Sequence, residues 1–273
     1  MSLQKKTLNL IEAAATVLED YHPMTLRQVY YQLVSKHVIE NTKSQYQRLS
    51  NALVKARQEG IIPFEWMEDR VRRPRVVSMW QDLPDFIETV RHAYRRDIWN
   101  DQSCYVEVWL EKDALSGVFE DITQEYGVTL VVGRGYNSWS AYKGMADRIS
   151  EQGKPAVILY FGDFDPSGED IVRALKEGLT FFGISPKIIK MALTKQDVID
   201  YHLPPDFTKK TDTRAKKFVE KYGDIAVELD ALPMPVLQQK VREAIEANLN
   251  LESLGWVRAI EEQERQSLRA MLT

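Results

Sequence analysis

The sequence predicts an α/β fold, a parallel sheet covered on both faces, preceded by a helical region. Three observations lead there. Four short, mostly apolar runs, CYVEVWL (104–110), TLVV (129–132), AVILYF (156–161) and KIIKMAL (187–193), alternate with helical stretches near 114–126, 138–152 and 168–182. Apolar strands separated by helices belong to parallel sheets. The first hundred residues, by contrast, read as helix with little strand. Charge also divides there, with 15 Lys/Arg against 12 Asp/Glu in residues 1–100 and 21 against 28 in residues 101–273. These shifts predict an N-terminal unit over 1–98 and an α/β unit with a C-terminal extension over 99–273.

In the N-terminal unit a helix over about Leu3–Glu19 runs into Tyr21-His22-Pro23, a stop signal. Thr25 then caps a second helix, with Gln28 completing a capping box and Met24 and Val29 at the staple positions. Leu26, Val29, Tyr30 and Leu33 make its apolar stripe. A third helix, about Ser44–Glu59, ends at Gly60 and carries Arg48, Lys55 and Arg57 around Leu49, Ala52, Leu53 and Ala56. IIPFEWMEDRVRRPRVV follows, aromatic and basic, suited to a hairpin tipped by Arg70, Arg72, Arg73 and Arg75. Three helices and a basic hairpin are the order of a winged helix-turn-helix, whose third helix enters the major groove and whose wing touches the backbone. Residues 22–75 hold 10 Lys/Arg against 5 Asp/Glu, a basic front on a chain of net charge −4. Double-stranded DNA is the expected partner. A helix over about Met79–Ile98 leads into the sheet, and another over about Val236–Ala247 lies beyond it.

In parallel sheets ligands bind beyond the carboxyl ends of the strands. The residues there are Glu111 after the first strand, Gly133-Arg134-Gly135 after the second, and Asp163 and Asp165 after the third. Residues i and i+2 of an extended segment share a side, so both aspartates can face one ion. Hard divalent cations take such oxygen ligands. The competing reading has these acids solvated or capping the next helix. Gly133-Arg134-Gly135 lacks the third glycine of a dinucleotide fingerprint. Lys112 is placed either to neutralise a phosphate or to pair with Asp113. Glu228 and Asp230 in VELDALP also alternate, as further acids near the ion or as a solvated strand edge. Trp66 is read as a nucleic-acid contact or the anchor of a small core.

With 44% apolar and 28% charged residues over 273 positions, the chain can bury a sizeable core. Its one cysteine, Cys104, excludes a disulfide framework and zinc sites built on cysteine pairs. Four histidines are too dispersed for a short zinc motif, so any metal belongs on carboxylates. No apolar run reaches the roughly 18 residues of a membrane span. The opening segment, broken by Glu12, reads as an amphipathic helix and not as a signal peptide. The expected compartment is the cytoplasm, without a membrane partner.

A glutamate after one strand and D-x-D two strands later resembles the TOPRIM domain of topoisomerases, primases and related nucleases. VWLEKDALSGVF (108–119), VVGRGYNSWSA (131–141) and LYFGDFDPSGEDI (159–171) resemble successive TOPRIM segments of the topoisomerase VI A subunit and the meiotic double-strand-break transesterase. TLRQVYY (25–31) is similar to that family's catalytic helix. The likeness covers roughly residues 22–190, in the family's order of winged helix then TOPRIM, and its compactness is closest to the relatives called Mini-A. It implies a catalytic Tyr31 assisted by Arg27, with Glu111, Asp163 and Asp165 binding Mg²⁺ or Mn²⁺. It also implies a homodimer in which one subunit's tyrosine works with the other's acids, and an ATPase B-type subunit as a further partner. The expected activity is Mg²⁺-dependent DNA cleavage by tyrosine transesterification. The alternatives are a metal-only TOPRIM nuclease with water as nucleophile, or a non-catalytic DNA-binding protein.

The residue chemistry runs alongside this. A tyrosine hydroxyl titrates near 10 and needs positive charge nearby to attack at neutral pH. Arg27, four residues before Tyr31, shares its helix face. Tyr30 belongs to the apolar stripe and Tyr31 is turned about 100° from it, which favours Tyr30 as core and Tyr31 as nucleophile.

Overall fold

The computed structural model describes residues 5–68, 77–133, 138–205 and 214–270. Three helices open the chain, α1 (Lys5–Tyr21), α2 (Leu26–Ser35) and α3 (Lys43–Gln58). Thr25 caps α2 in a reciprocal capping box with Gln28, as its sequence predicts. After α3 comes a 3₁₀ turn (Phe64–Trp66), and Met67 bridges Met24. Beyond Glu68, the rest of the expected hairpin, with Arg70, Arg72, Arg73 and Arg75, lies outside the described residues. Trp66 stacks on His22 at 4.9 Å, within the small core beneath α2. The connecting helix α4 (Leu83–Ala93) is shorter than the expected 79–98, because Asp82 caps it with Pro84 in its first turn.

Four strands follow, β1 (Tyr105–Leu110), β2 (Thr129–Val132), β3 (Ala156–Phe161) and β4 (Lys187–Ala192), all parallel in the order β2-β1-β3-β4. Helices α5 (Ser116–Glu125), α6 (Trp139–Gln152) and α7 (Pro166–Phe181) connect them. The α/β class is therefore the observed one. The chain continues through α8 (Lys195–Asp200), α9 (Ala215–Tyr222), α10 (Met234–Glu246) and α11 (Leu251–Ala270).

The two faces of the sheet bury different partners. One core runs from α1–α3 through Val106, Val108, Leu159 and Phe161 to α5, α10 and α11. The other holds Trp109, Ile158 and Tyr160 under α6 and α7. Since α5 and α7 cover opposite faces, the order of connection reverses between β1 and β3. In open α/β sheets the crevice at such a reversal is the ligand position. Glu111, Asp163 and Asp165 stand at that crevice. Among the described residues no helix is long and apolar enough to cross a membrane.

Candidate active site

The crevice is built by backbone. Glu111 follows β1, and its N–H donates to the Phe161 carbonyl at the end of β3 (2.9 Å). The Glu111 carboxylate accepts from the Asp163 N–H (3.0 Å) and the Tyr160 hydroxyl (2.9 Å). A side chain at Gly162 would obstruct this, because a Cβ there would lie 2.4 Å from Glu111 Oε2. Gly168 serves likewise, letting the first turn of α7 approach the Asp163 carbonyl, 2.2 Å from where a Cβ would sit. Phe164 points into the core against Phe218 and Tyr222, while Asp163 meets Lys112 and the Leu229 N–H. Asp165 caps α7 by accepting from the Gly168 N–H (2.6 Å).

The same segment recruits a distant one. Phe164 and Val227 exchange both backbone hydrogen bonds (2.9 Å each), forming an antiparallel bridge. Asp163 Oδ1 accepts from the Leu229 N–H (2.7 Å). These bonds deliver Glu228 and Asp230 to the crevice, Asp230 within a short 3₁₀ turn and not on a solvated strand edge.

Opposite them stands α2. Arg27 donates from Nη2 to Glu228 Oε2 and from Nε to Asp230 Oδ2, 3.0 Å each. The Tyr31 hydroxyl donates to Glu228 Oε2. Lys112 Nζ reaches Glu228 Oε2 (2.8 Å), Asp163 Oδ1 (3.1 Å) and Asp230 Oδ2 (3.4 Å). Arg27 and Lys112 lie 5.6 and 5.7 Å from the centre of the Tyr31 ring. Tyr31, Arg27, Lys112, Asp163, Glu228 and Asp230 thus form one cluster within a single chain, where the resemblance implied a tyrosine working on a partner's acids. A cleft of about 300 Å³ opens beside it, lined by Arg27, Tyr31, Lys43 and Tyr46 among others. Tyr30 lines the same cleft, but its hydroxyl is bound to Asn41 Oδ1 and the Thr42 carbonyl (3.1 Å each) and not to Glu228.

The electrostatics follow from burial among unlike charges. Burial raises the Tyr31 hydroxyl above its ordinary value, and the Glu228 acceptor adds to this against the pull of Lys112 and Arg27. Burial also pushes Glu228 up, but Lys112, the Tyr31 hydrogen bond and Arg27 outweigh it and hold the carboxyl at about 2. Asp163 goes the other way. Its burial, with Glu111 and Asp230 nearby, exceeds the help from Lys112 and the Leu229 N–H and pushes it up to about 7. Lys112 stays charged, because Asp230, Asp163 and Glu228 overcome its desolvation.

Among the described residues no three His, Cys, Asp or Glu side chains converge into a ready metal cage. Glu111 and Asp165 are engaged within the protein, and the Lys112 ammonium lies among the carboxylates that do meet. Carboxylate oxygen is the donor a hard cation takes, but the described residues do not assemble these acids into a site for one. Among the described residues the buried Asp230 Oδ1 also finds no hydrogen-bond partner.

Of the groove-facing cations expected on the third helix, Arg48 and Lys55 are seven residues apart and share a face. Arg57, nine from Arg48, lies about half a turn away. Arg48 also donates to the Lys6 carbonyl (2.9 Å) and Arg57 to the Leu53 carbonyl (3.4 Å). Arg134 lies outside the described residues. In sequence Lys112 is open to a phosphate or to Asp113, and Glu228 and Asp230 to the ion or to a solvated edge; the structure brings all three into the cluster. The available signals were a lysine adjoining the strand-end glutamate and two acids flanking a buried leucine. Compared with known proteins, the chain matches no family model and no curated protein.

Proposed function

We propose that the protein cleaves DNA by tyrosine transesterification, with a winged-helix-like N-terminal unit holding the duplex and a TOPRIM-like crevice carrying the acids. The observation that carries this is the convergence of the Tyr31 hydroxyl, Arg27 and Lys112 on one carboxylate oxygen of Glu228, with Asp163 also within reach of Lys112. Tyr31 Oη adds to phosphorus, the phosphorus–oxygen bond to deoxyribose breaks, and the tyrosine proton ends on the departing oxygen. One strand end becomes a tyrosyl phosphodiester and the other a free hydroxyl. Arg27 and Lys112 neutralise the phosphate as charge develops on it. By the resemblance Glu111, Asp163 and Asp165 would hold Mg²⁺ or Mn²⁺, and such an ion would supply Lewis-acid stabilisation of the leaving oxygen. Each chain carries a complete cluster, so cutting both strands calls for a homodimer. An ATPase B-type subunit remains an expectation from the resemblance alone.

A second reading, a metal nuclease with water as nucleophile, draws on the Tyr31 hydroxyl being held protonated. Denaturing electrophoresis of labelled duplex DNA with protein and Mg²⁺ separates the two. Transesterification gives a protein–DNA adduct that vanishes in Tyr31→Phe and persists in Tyr30→Phe. A water mechanism leaves Tyr31→Phe cutting, with free ends. DNA affinity should fall steeply with salt, and alanine at Arg70, Arg72 and Arg73 should weaken it across unrelated sequences. Salt-insensitive binding would count against the duplex-holding role.

A further inference from the structure

We propose that Tyr31, Arg27 and Lys112 together form the receptor for the scissile phosphate, and that Glu228 fills this receptor in the DNA-free chain as an internal competitor. The proposal rests on the reading of the site as DNA-cleaving and adds to it a third phosphate ligand and a displaceable occupant. Three donors from two elements converge on one atom, Glu228 Oε2: Arg27 Nη2 at 3.0 Å, Lys112 Nζ at 2.8 Å, and the Tyr31 hydroxyl. Two cations and a hydroxyl around a single anionic oxygen are what a non-bridging phosphate oxygen requires beside an attacking tyrosine.

The two acids of the VELDALP segment differ in a way that fits separate roles. The Asp230 side chain is 1% exposed and that of Glu228 39%. Asp230 grips Arg27 Nε at 3.0 Å and Lys112 at 3.4 Å, so both cations keep a partner when Glu228 departs. Glu228 has a path to solvent, and the cleft beside Tyr31 gives a strand its approach. Charge points the same way. Replacing one carboxylate by one phosphodiester leaves the charge of the cluster unchanged, whereas adding a phosphate beside Asp163, Glu228 and Asp230 sets like charges together. Displacement of Glu228 also removes the acceptor that holds the Tyr31 proton, leaving the hydroxyl with its two cations.

The test measures binding of a fluorescent DNA duplex to the full chain by anisotropy in EDTA, and adduct formation separately with Mg²⁺. Glu228→Gln should bind about tenfold more tightly than wild type, the scale of one charged hydrogen-bond competitor removed. Glu220→Gln, an exposed acid on α9, controls for the loss of one negative charge and should change affinity far less. Asp230→Asn should bind more weakly, the opposite sign, because the cations lose their anchor. If Glu228→Gln does not fold by thermal melt, Glu228→Asp keeps the charge but shortens the reach and should show a smaller gain. Equal affinity of wild type and the folded Glu228 variant would overturn the proposal. So would loss of the adduct at unchanged affinity, which would make Glu228 a proton acceptor. In both cases a wild-type adduct at Tyr31 leaves the cleavage reading standing. Absence of DNA binding in every variant would sink both together.

Discussion

Glu228 and Asp163 sit within reach of one ammonium group, yet their surroundings drive them in opposite directions. Glu228, held at about 2 despite its burial, favours folding most above about pH 4.5, and that contribution fades as pH falls toward 2. Asp163, pushed up to about 7, burdens the fold above that pH and is relieved as pH falls toward 4. Melting temperatures of wild type and Glu228→Gln should therefore differ most near neutrality and converge between pH 4.5 and 2. A constant gap across that range would mean that Glu228 contributes packing and no charge. Removing the ammonium leaves three carboxyls facing one another, so Lys112→Met should lose about 3 kcal/mol in urea melts. A loss below about 1 kcal/mol would show that the acids find water instead. Four-residue spacing puts Tyr31 and Arg27 on one helix face, although their roles come from the resemblance, and sheet logic puts the acids at the strand ends. Glu228 and Asp230 were not legible as members of the cluster. They reach the site through Leu229, 66 residues from Asp163, and no local pattern encodes that pairing.

At the level of elements, β1 carries a charge that an apolar run conceals. Glu107 is 1% exposed in mid-strand, accepting from Arg148 Nε (2.6 Å) and Nη2 (3.0 Å), the Tyr105 hydroxyl (2.8 Å) and Trp109 Nε1 (3.0 Å). This network ties the strand to α6. Glu107→Ala strands four donor groups on three side chains, and because Arg148 is partly exposed and can turn to water, the cost belongs at the lower end for a broken buried pair, about 3 kcal/mol. Chemical denaturation checks this. Pairing Glu107→Leu with Arg148→Met should recover most of the loss. The four strands were readable because each is a short apolar run ended by a turn or a charge. The last helix, α11, escaped the reading because its buried positions are few, Leu254, Val257 and Glu261 among them, and Gly255 interrupts the run. Its docking comes from polar bonds no periodicity reveals, such as Glu261 accepting from the Arg96 N–H (2.7 Å) and Glu264 from the Tyr94 hydroxyl (2.6 Å). The expected hairpin had the composition of a wing, but its described start forms a 3₁₀ turn, where Pro63 fixes the backbone ahead of Phe64.

Across the whole molecule, α4 packs on α11 and Trp80 lies edge-on to Phe86, yet much of its apolar side is left open. None of its residues is buried, although Leu83, Phe86, Ile87 and Val90 recur at helical spacing. Leu83 is 67% exposed, and the preceding Val77 and Met79 are 76% and 83% exposed. A contiguous apolar face of this kind is uncommon on a monomer. The proposed homodimer would place the same face of a second chain against it. Within α4 Glu88 already engages Arg91 and His92, so the apolar side and not charge would join two copies about a twofold axis. Sedimentation at micromolar concentration should give a dimer. Leu83→Ser with Phe86→Ser should give a folded monomer, since Leu83 is largely exposed and Phe86 only half-buried. Because Tyr31 meets Lys112 and Glu228 within one chain, that monomer should still form an adduct on one strand. Its products should shift from double-strand breaks to nicks. A variant that still sediments as a dimer would place the contact elsewhere, and loss of the adduct along with the dimer would show that a chain needs its partner to complete the site.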